Sequence, residues 1–191
     1  VSGGRSPPGA QPVRPVMMGR RRILVALTAV AAWIAAVNLP VTNPLTSDVE
    51  LYKVVGHNMA AGEMPYRDFF LEYPPGAAVF FWMARLVPAP YATGVGILLC
   101  AALVVTAVAV MSAAQGLGFS ERRQTAAGLV VAMSPVLLGR FVIAERFDLI
   151  LSAAVALMLA FATRRRFGWA WSMLAIAVLV KLVPVLLAPL L

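Results

Sequence analysis

From Tyr91 to Ala114 the chain carries no charged residue. A helix over that stretch is long enough to cross a bilayer, which takes about 20 predominantly apolar residues. Ile23–Val41, Thr125–Ala144, Leu149–Thr163 and Trp169–Leu191 are further apolar runs, two of them holding one cation each, Arg140 and Lys181. Only 13% of the 191 residues are charged, against about 25% in soluble domains. The pattern predicts an all-α, polytopic helical membrane protein with about five transmembrane helices. Pro135 is expected to kink the Thr125–Ala144 span, which neighbouring helices can tolerate.

The net charge is +8, which in a soluble chain would raise nucleic acid as a partner. Here the cations gather at the ends of apolar runs, in Arg20–Arg22, Arg122–Arg123 and Arg164–Arg166. That arrangement sets topology and attracts anionic lipid. It gives membrane lipids as partners and no nucleic acid. With the N-terminus cytoplasmic, about five spans put every arginine cluster on the cytoplasmic side of a multi-pass plasma-membrane protein. All the acids except Glu121 then fall on the external face.

Residues 1–22, rich in Gly, Pro, Ser and Arg, read as a disordered basic cytoplasmic tail. Ile23–Val41 outlasts a signal-peptide core and reads as an uncleaved anchor. Residues 23–191 form the transmembrane region, with a first external loop at 42–90. Gly76–Val87 is too short to span and reads as an interfacial or re-entrant helix. The lone Cys100 has no disulfide partner and reads as a small packing residue. No cluster of residues has metal-ligand spacing.

The external loop holds Asp48, Glu50, Glu63, Asp68 and Glu72. Ser47-Asp48-Val49-Glu50 fits a capping box that opens a helix to about Ala61, stopped by Gly62. On it Glu50, Lys53 and His57 share one face, while Asp48 falls with Leu51, Tyr52, Val55 and Met59. A partly desolvated carboxylate is a better general base. An acid in a first helical turn also simply complements the helix dipole. His57, on the polar face, reads as solvated. Further on, Tyr66, Glu72 and Tyr73 precede the stiff Pro74-Pro75 step. Aromatic rings beside acids suit sugars, and they equally suit an interfacial belt. Lys181 inside an apolar run is functional by default or needs a partner such as Asp148.

Gly62-x-x-Pro65-Tyr66-x-Asp68-Phe69, Glu72-Tyr73-Pro74-Pro75, Arg146-Phe147-Asp148-Leu149 and Lys181-Leu182-Val183-Pro184, in that order after Asp48, resemble the polyprenyl-phosphate-mannose-dependent mannosyltransferases of glycosyltransferase family 87, in the GT-C superfamily. The resemblance runs from about Ile23 to Leu191. It implies an inverting transfer of a hexose, expected to be mannose, from a polyprenyl-phosphate donor to a glycolipid or lipid-linked glycan at the outer face. The polyprenyl-phosphate sugar is then a substrate, and no cofactor is expected. It implies Asp48 as general base, with Glu72, Tyr73, Tyr66, Arg146, Asp148 and Lys181 binding substrate. Cations are needed where the leaving phosphate gains charge, and Arg140, Arg146 and Lys181 are the candidates. Members of that family are longer, so the chain is expected to be their N-terminal part. The competing readings are a transporter or lipid flippase, which would place polar groups near the midplane of repeated halves, and a non-catalytic membrane protein.

Overall fold

The computed structural model describes residues 15–38, 48–139 and 146–191, with side chains from Gly19 onward. Apart from an isolated bridge between Pro65 and Phe69, the regular structure of the described residues is helical. Helix α1 covers Pro15–Val37, so Arg20–Arg22 ride on a helix, contrary to the expected tail up to residue 22. Pro15 suits a helix start, where its missing N–H is no loss. In the stretch expected as the first external loop, α2 covers Val49–Ala60 and α3 covers Pro75–Arg85. Gly62 follows α2 at φ 92°, the left-handed conformation that glycine adopts without penalty. Ser47, the expected cap of α2, lies outside the described residues, as does Arg140.

Helix α4 covers Tyr91–Gly116 and is the one helix among the described residues long and apolar enough to cross a membrane. The next run departs from expectation. Helix α5 starts early, at Glu121, and stops at Ala132; the five-residue α6, Ser134–Leu138, follows and ends at Gly139 with φ 84°. The single span expected over Thr125–Ala144 is therefore broken. Pro135 cannot donate to the carbonyl of Val131, and its ring crowds that carbonyl. The break falls just ahead of it.

Helix α7 covers Asp148–Ala162 and α8 covers Phe167–Val180, both apolar but shorter. The final run, expected as one span to Leu191, also breaks. Lys181 is extended at φ −156° and ψ 135°, and a 3-10 helix covers Val183–Leu190. Pro184 again explains the position, since it removes the hydrogen bond to Val180.

Helix α4 is the centre of the bundle, packed against α1, α5 and α7, with α8 behind α7 and the α2–α3 pair at one end. Val25, Ala29 and Trp33 of α1 join Leu99, Leu103 and Ala107 of α4 in the main core. Outward faces stay apolar: Ile23, Leu27 and Ile34 on α1 and Trp169, Trp171 and Ile176 on α8 are exposed. A helix that is apolar on its core face and its outer face alike suits a lipid surround.

Candidate active site

Two glycines set the site's frame. A methyl group on Gly56 of α2 would sit 2.6 Å from the Phe81 carbonyl oxygen, and one on Gly76 of α3 would sit 2.7 Å from the Leu179 carbonyl oxygen. Their bare backbones let α2 close on α3, and α3 close on the end of α8. Tyr52 consequently stacks on Phe81, with ring centroids 4.3 Å apart and planes 8° from parallel.

Phe147, 3% exposed, drives its ring into this stack. It meets Tyr52, Tyr73 and Phe81 nearly edge-on, at centroid distances of 5.7, 5.1 and 5.4 Å. Such contacts add about 0.5–1.5 kcal/mol each beyond the area they bury. Its chain neighbours carry the charges. Arg146 Nη1 lies 3.4 Å from Asp48 Oδ2, and Lys181 Nζ lies 2.7 Å from Asp148 Oδ1. Lys181 also sits 5.9 Å from the Phe147 ring centroid. The Arg146-Phe147-Asp148 step is thus an aromatic peg with an ion pair on either side.

Asp48 is the N-cap residue of α2, yet makes no side-chain cap hydrogen bond. The Tyr52 hydroxyl donates to its Oδ2 over 3.4 Å. Burial, and then the charge of Asp48, push the Tyr52 phenol far above its ordinary range, so it remains a donor. The side chains of Asp48 and Arg146 are still 30% and 43% exposed, which leaves room for an incoming hydroxyl.

Tyr73 completes this edge. Burial first, then the charges of Glu72 and Asp48 and a hydrogen bond with Glu72, raise its phenol, while Arg146 works in the opposite direction. Tyr66 holds the segment in place. Its hydroxyl donates to the Tyr73 carbonyl and its backbone N–H donates to Phe69 over 2.9 Å. It does so at φ 67°, a conformation that costs a non-glycine residue about 1–2 kcal/mol. Asp68 braces the same turn by accepting from the Arg67 guanidinium and from the Met64 N–H at 2.8 Å. The Arg67 hydrogen bond and then the Met64 N–H lower its carboxyl to about 2.

All seven residues singled out from the sequence therefore belong to one neighbourhood. Asp48 and Arg146 pair directly and their charges reach the Tyr73 phenol, Glu72 and Tyr66 hydrogen-bond with Tyr73, and Asp148 and Lys181 pair on the far side of Phe147. Tyr52, Phe81 and Phe147 were not among them. The i, i+4 spacing of Asp48 and Tyr52 was the available signal for the first. His57 is exposed at the end of α2, as expected. Among the described residues, no three His, Cys, Asp or Glu side chains gather as a metal site would require.

An apolar groove of about 460 Å³ lies among α3, α4, α7 and α8, lined by Gly76, Phe80, Leu98, Ile150 and Val180 among others. It adjoins the site through Phe80, whose ring centroid lies 6.5 Å from that of Phe147.

A helical bundle around one helix long and apolar enough to cross a membrane, setting paired acids and cations against an aromatic wall, defines the class: an apolar all-helical protein with a polar site at one end and an apolar groove beside it. The chain belongs to glycosyltransferase family 87, whose sequence model matches residues 70–191. It is a glycosyltransferase by that membership, and the members of the family are membrane proteins. The match takes in Glu72, Tyr73, Arg146, Asp148 and Lys181 but begins after Asp48 and Tyr66. Comparison with curated proteins and with solved structures finds no match.

Proposed function

We propose that this glycosyltransferase moves a hexose, mannose in the first instance, from a polyprenyl-phosphate donor to a glycolipid or lipid-linked glycan at the outer face of the plasma membrane. The carrying observation is the placement of Asp48, 30% exposed and 3.4 Å from Arg146, around the Phe147 ring, which lies 6.5 Å from Phe80 in the wall of an apolar groove. The N-terminus lies in the cytoplasm, and about five spans carry the bundle.

Both substrates are amphiphiles, so their sugars meet at the membrane boundary while their tails stay in lipid. The groove beside Val180 takes the start of the polyprenyl chain. The sugar ring lies toward Tyr66, Glu72 and Tyr73, which offer an aromatic face and hydroxyl partners. Asp48 accepts the proton of the acceptor hydroxyl through Oδ1, its Oδ2 being held by Tyr52 and Arg146. The acceptor oxygen attacks the anomeric carbon from the face opposite the phosphate. The bond between that carbon and the phosphate oxygen breaks, and its electron pair leaves with the lipid phosphate. The configuration inverts. Lys181 and Arg146 are the cations able to meet the charge on the leaving oxygen.

The test uses membranes holding the full-length protein, incubated with radiolabelled polyprenyl-phosphate-mannose and, separately, with the glucose analogue. Label should pass from the mannosyl donor to an extractable glycolipid, and Asp48→Asn should abolish transfer while membrane expression is unchanged. Normal transfer by that variant removes Asp48 as base, and transfer from the glucosyl donor alone corrects the sugar. For the orientation, Glu63→Cys should react with a membrane-impermeant maleimide on intact cells; reaction only after lysis reverses the topology.

A further inference from the structure

At the end of the bundle away from Asp48, a second cavity of about 550 Å³ lies between α4 and α7. Its walls are Val104, Val105 and Val108 of α4 with Leu157 and Phe161 of α7, and its mouth carries Arg22, Arg164 and Arg166. Among the described residues that line it there is no Asp or Glu.

The cations are brought there by the fold. The turn after α7 closes with the Arg166 N–H on the Phe161 carbonyl at 3.0 Å and the Arg165 N–H on the Ala162 carbonyl at 2.9 Å. This is a Schellman motif, which favours glycine at the position Arg165 fills with φ 57°. Arg22 of α1 and Arg164 both donate to one atom, Gln115 Oε1, at 3.3 and 3.0 Å. Two guanidinium groups therefore converge on a neutral amide oxygen, which satisfies hydrogen bonds but offsets no charge. Burial first, and then the charges of Arg22 and Arg166, lower the Arg164 guanidinium from its ordinary range. Glu121, which lines a small neighbouring cavity with Arg22, is engaged by Arg21 at 2.7 Å.

We infer that this cavity is a binding site for an anionic glycerophospholipid, its phosphate held by Arg22, Arg164 and Arg166 and one acyl chain lying between α4 and α7. Guanidinium groups match phosphate oxygens in geometry and charge. The apolar walls beneath them exclude a ligand that is all charge, and the arginines disfavour one that is all hydrocarbon. Its arginines lie at the end of the bundle away from Asp48, while its apolar wall adjoins the first groove at Val105, which lines both cavities; its occupancy ties α1, α4 and α7 together at the arginine end.

The test is native mass spectrometry of the full-length protein in mild detergent, with phosphatidylglycerol, phosphatidylcholine of the same acyl chains, and inorganic phosphate as separate additions. Phosphatidylglycerol should be retained about tenfold more than phosphatidylcholine, and inorganic phosphate should not displace it. Arg164→Gln with Arg166→Gln should lower that retention about tenfold, while Arg85→Gln, at the other end of the bundle, leaves it unchanged. Val108→Trp fills the cavity and keeps every charge, so it should lower retention as well and covers the case in which the arginine variant fails to fold. Equal retention of the two lipids, retention unchanged in the variants that fold, or displacement by inorganic phosphate each overturns the inference.

Discussion

Lys181 and Asp148, 33 positions apart in the chain, pair at 2.7 Å where α8 unwinds against the first turn of α7. Their side chains are 42% and 45% exposed, so the pair itself stabilises the fold by no more than about 1 kcal/mol. Lys181→Ala should therefore lower the melting temperature only slightly. Transfer should fall far more, by about 100-fold or beyond, because a cation facing a leaving oxygen acts in the transition state. Lys181→Met with Asp148→Asn should restore the melting temperature and leave transfer impaired. A double variant with full activity would reduce the pair to a brace.

Tyr52→Phe keeps the stack on Phe81 and removes one hydrogen bond to Asp48. Stability at neutral pH should change by about 1 kcal/mol, with transfer reduced about tenfold, as read by melting in detergent and by radiolabel assay. The alkaline limb is more telling. The phenol's ordinary value is 10.0 and the folded protein holds it well above that. Its contribution is fully present below pH 10 and is lost as pH rises toward the folded value, because only the unfolded chain ionises in that window. Alkaline unfolding should begin near pH 10 in the parent and be shallower in Tyr52→Phe.

Phe147→Ala removes a 3% exposed ring and should cost about 3–5 kcal/mol, measured by thermal or denaturant unfolding in detergent. Phe147→Leu keeps most of the volume and forfeits the edge-on ring contacts, for about 1–3 kcal/mol. Both should depress transfer beyond what the loss of folded protein explains, since Arg146 and Asp148 are aimed by the residue between them. A Phe147→Leu enzyme that is less stable but fully active would separate the peg from the ion pairs.

The chain's legible parts and its illegible ones divide on physical grounds. Helix α4 was readable because an uncharged run of that length has few alternatives, and α2 because Asp48, Glu50 and Gly62 mark its ends. The interruption at Pro135 was expected as a kink and is a full break at Met133. The break at Lys181 was missed although Pro184 announces it, because apolar continuity outweighed the proline in the reading, whereas in the fold the lost hydrogen bond decides. The candidate residues were found by chemistry and by motif order. The Lys181–Asp148 pair was among them, because a lone cation in an apolar run needs a partner. The Asp48–Arg146 pair and the packing around Phe147 were not, because they join segments far apart in sequence and no local period records such long-range contacts.

Gly76 and Gly168 give a paired test of the packing that builds the site. A methyl group at Gly76 would lie 2.7 Å from the Leu179 carbonyl oxygen and 3.1 Å from its Cβ. The backbone of α8 cannot retreat cheaply, because it is held between α3 and α7. Gly76→Ala should destabilise by about 1–3 kcal/mol. It should also reduce transfer, since prying α3 from α8 moves Tyr73 and Lys181 together and opens the groove between them. At Gly168, in the first turn of α8, an added methyl meets nothing within 4 Å. Gly168→Ala should stabilise by about 0.5 kcal/mol through the lower entropy of the unfolded chain, with transfer unchanged. Melting curves and radiolabel assays on the two variants check both halves. Equal behaviour would mean that the α3–α8 contact does not hold the site.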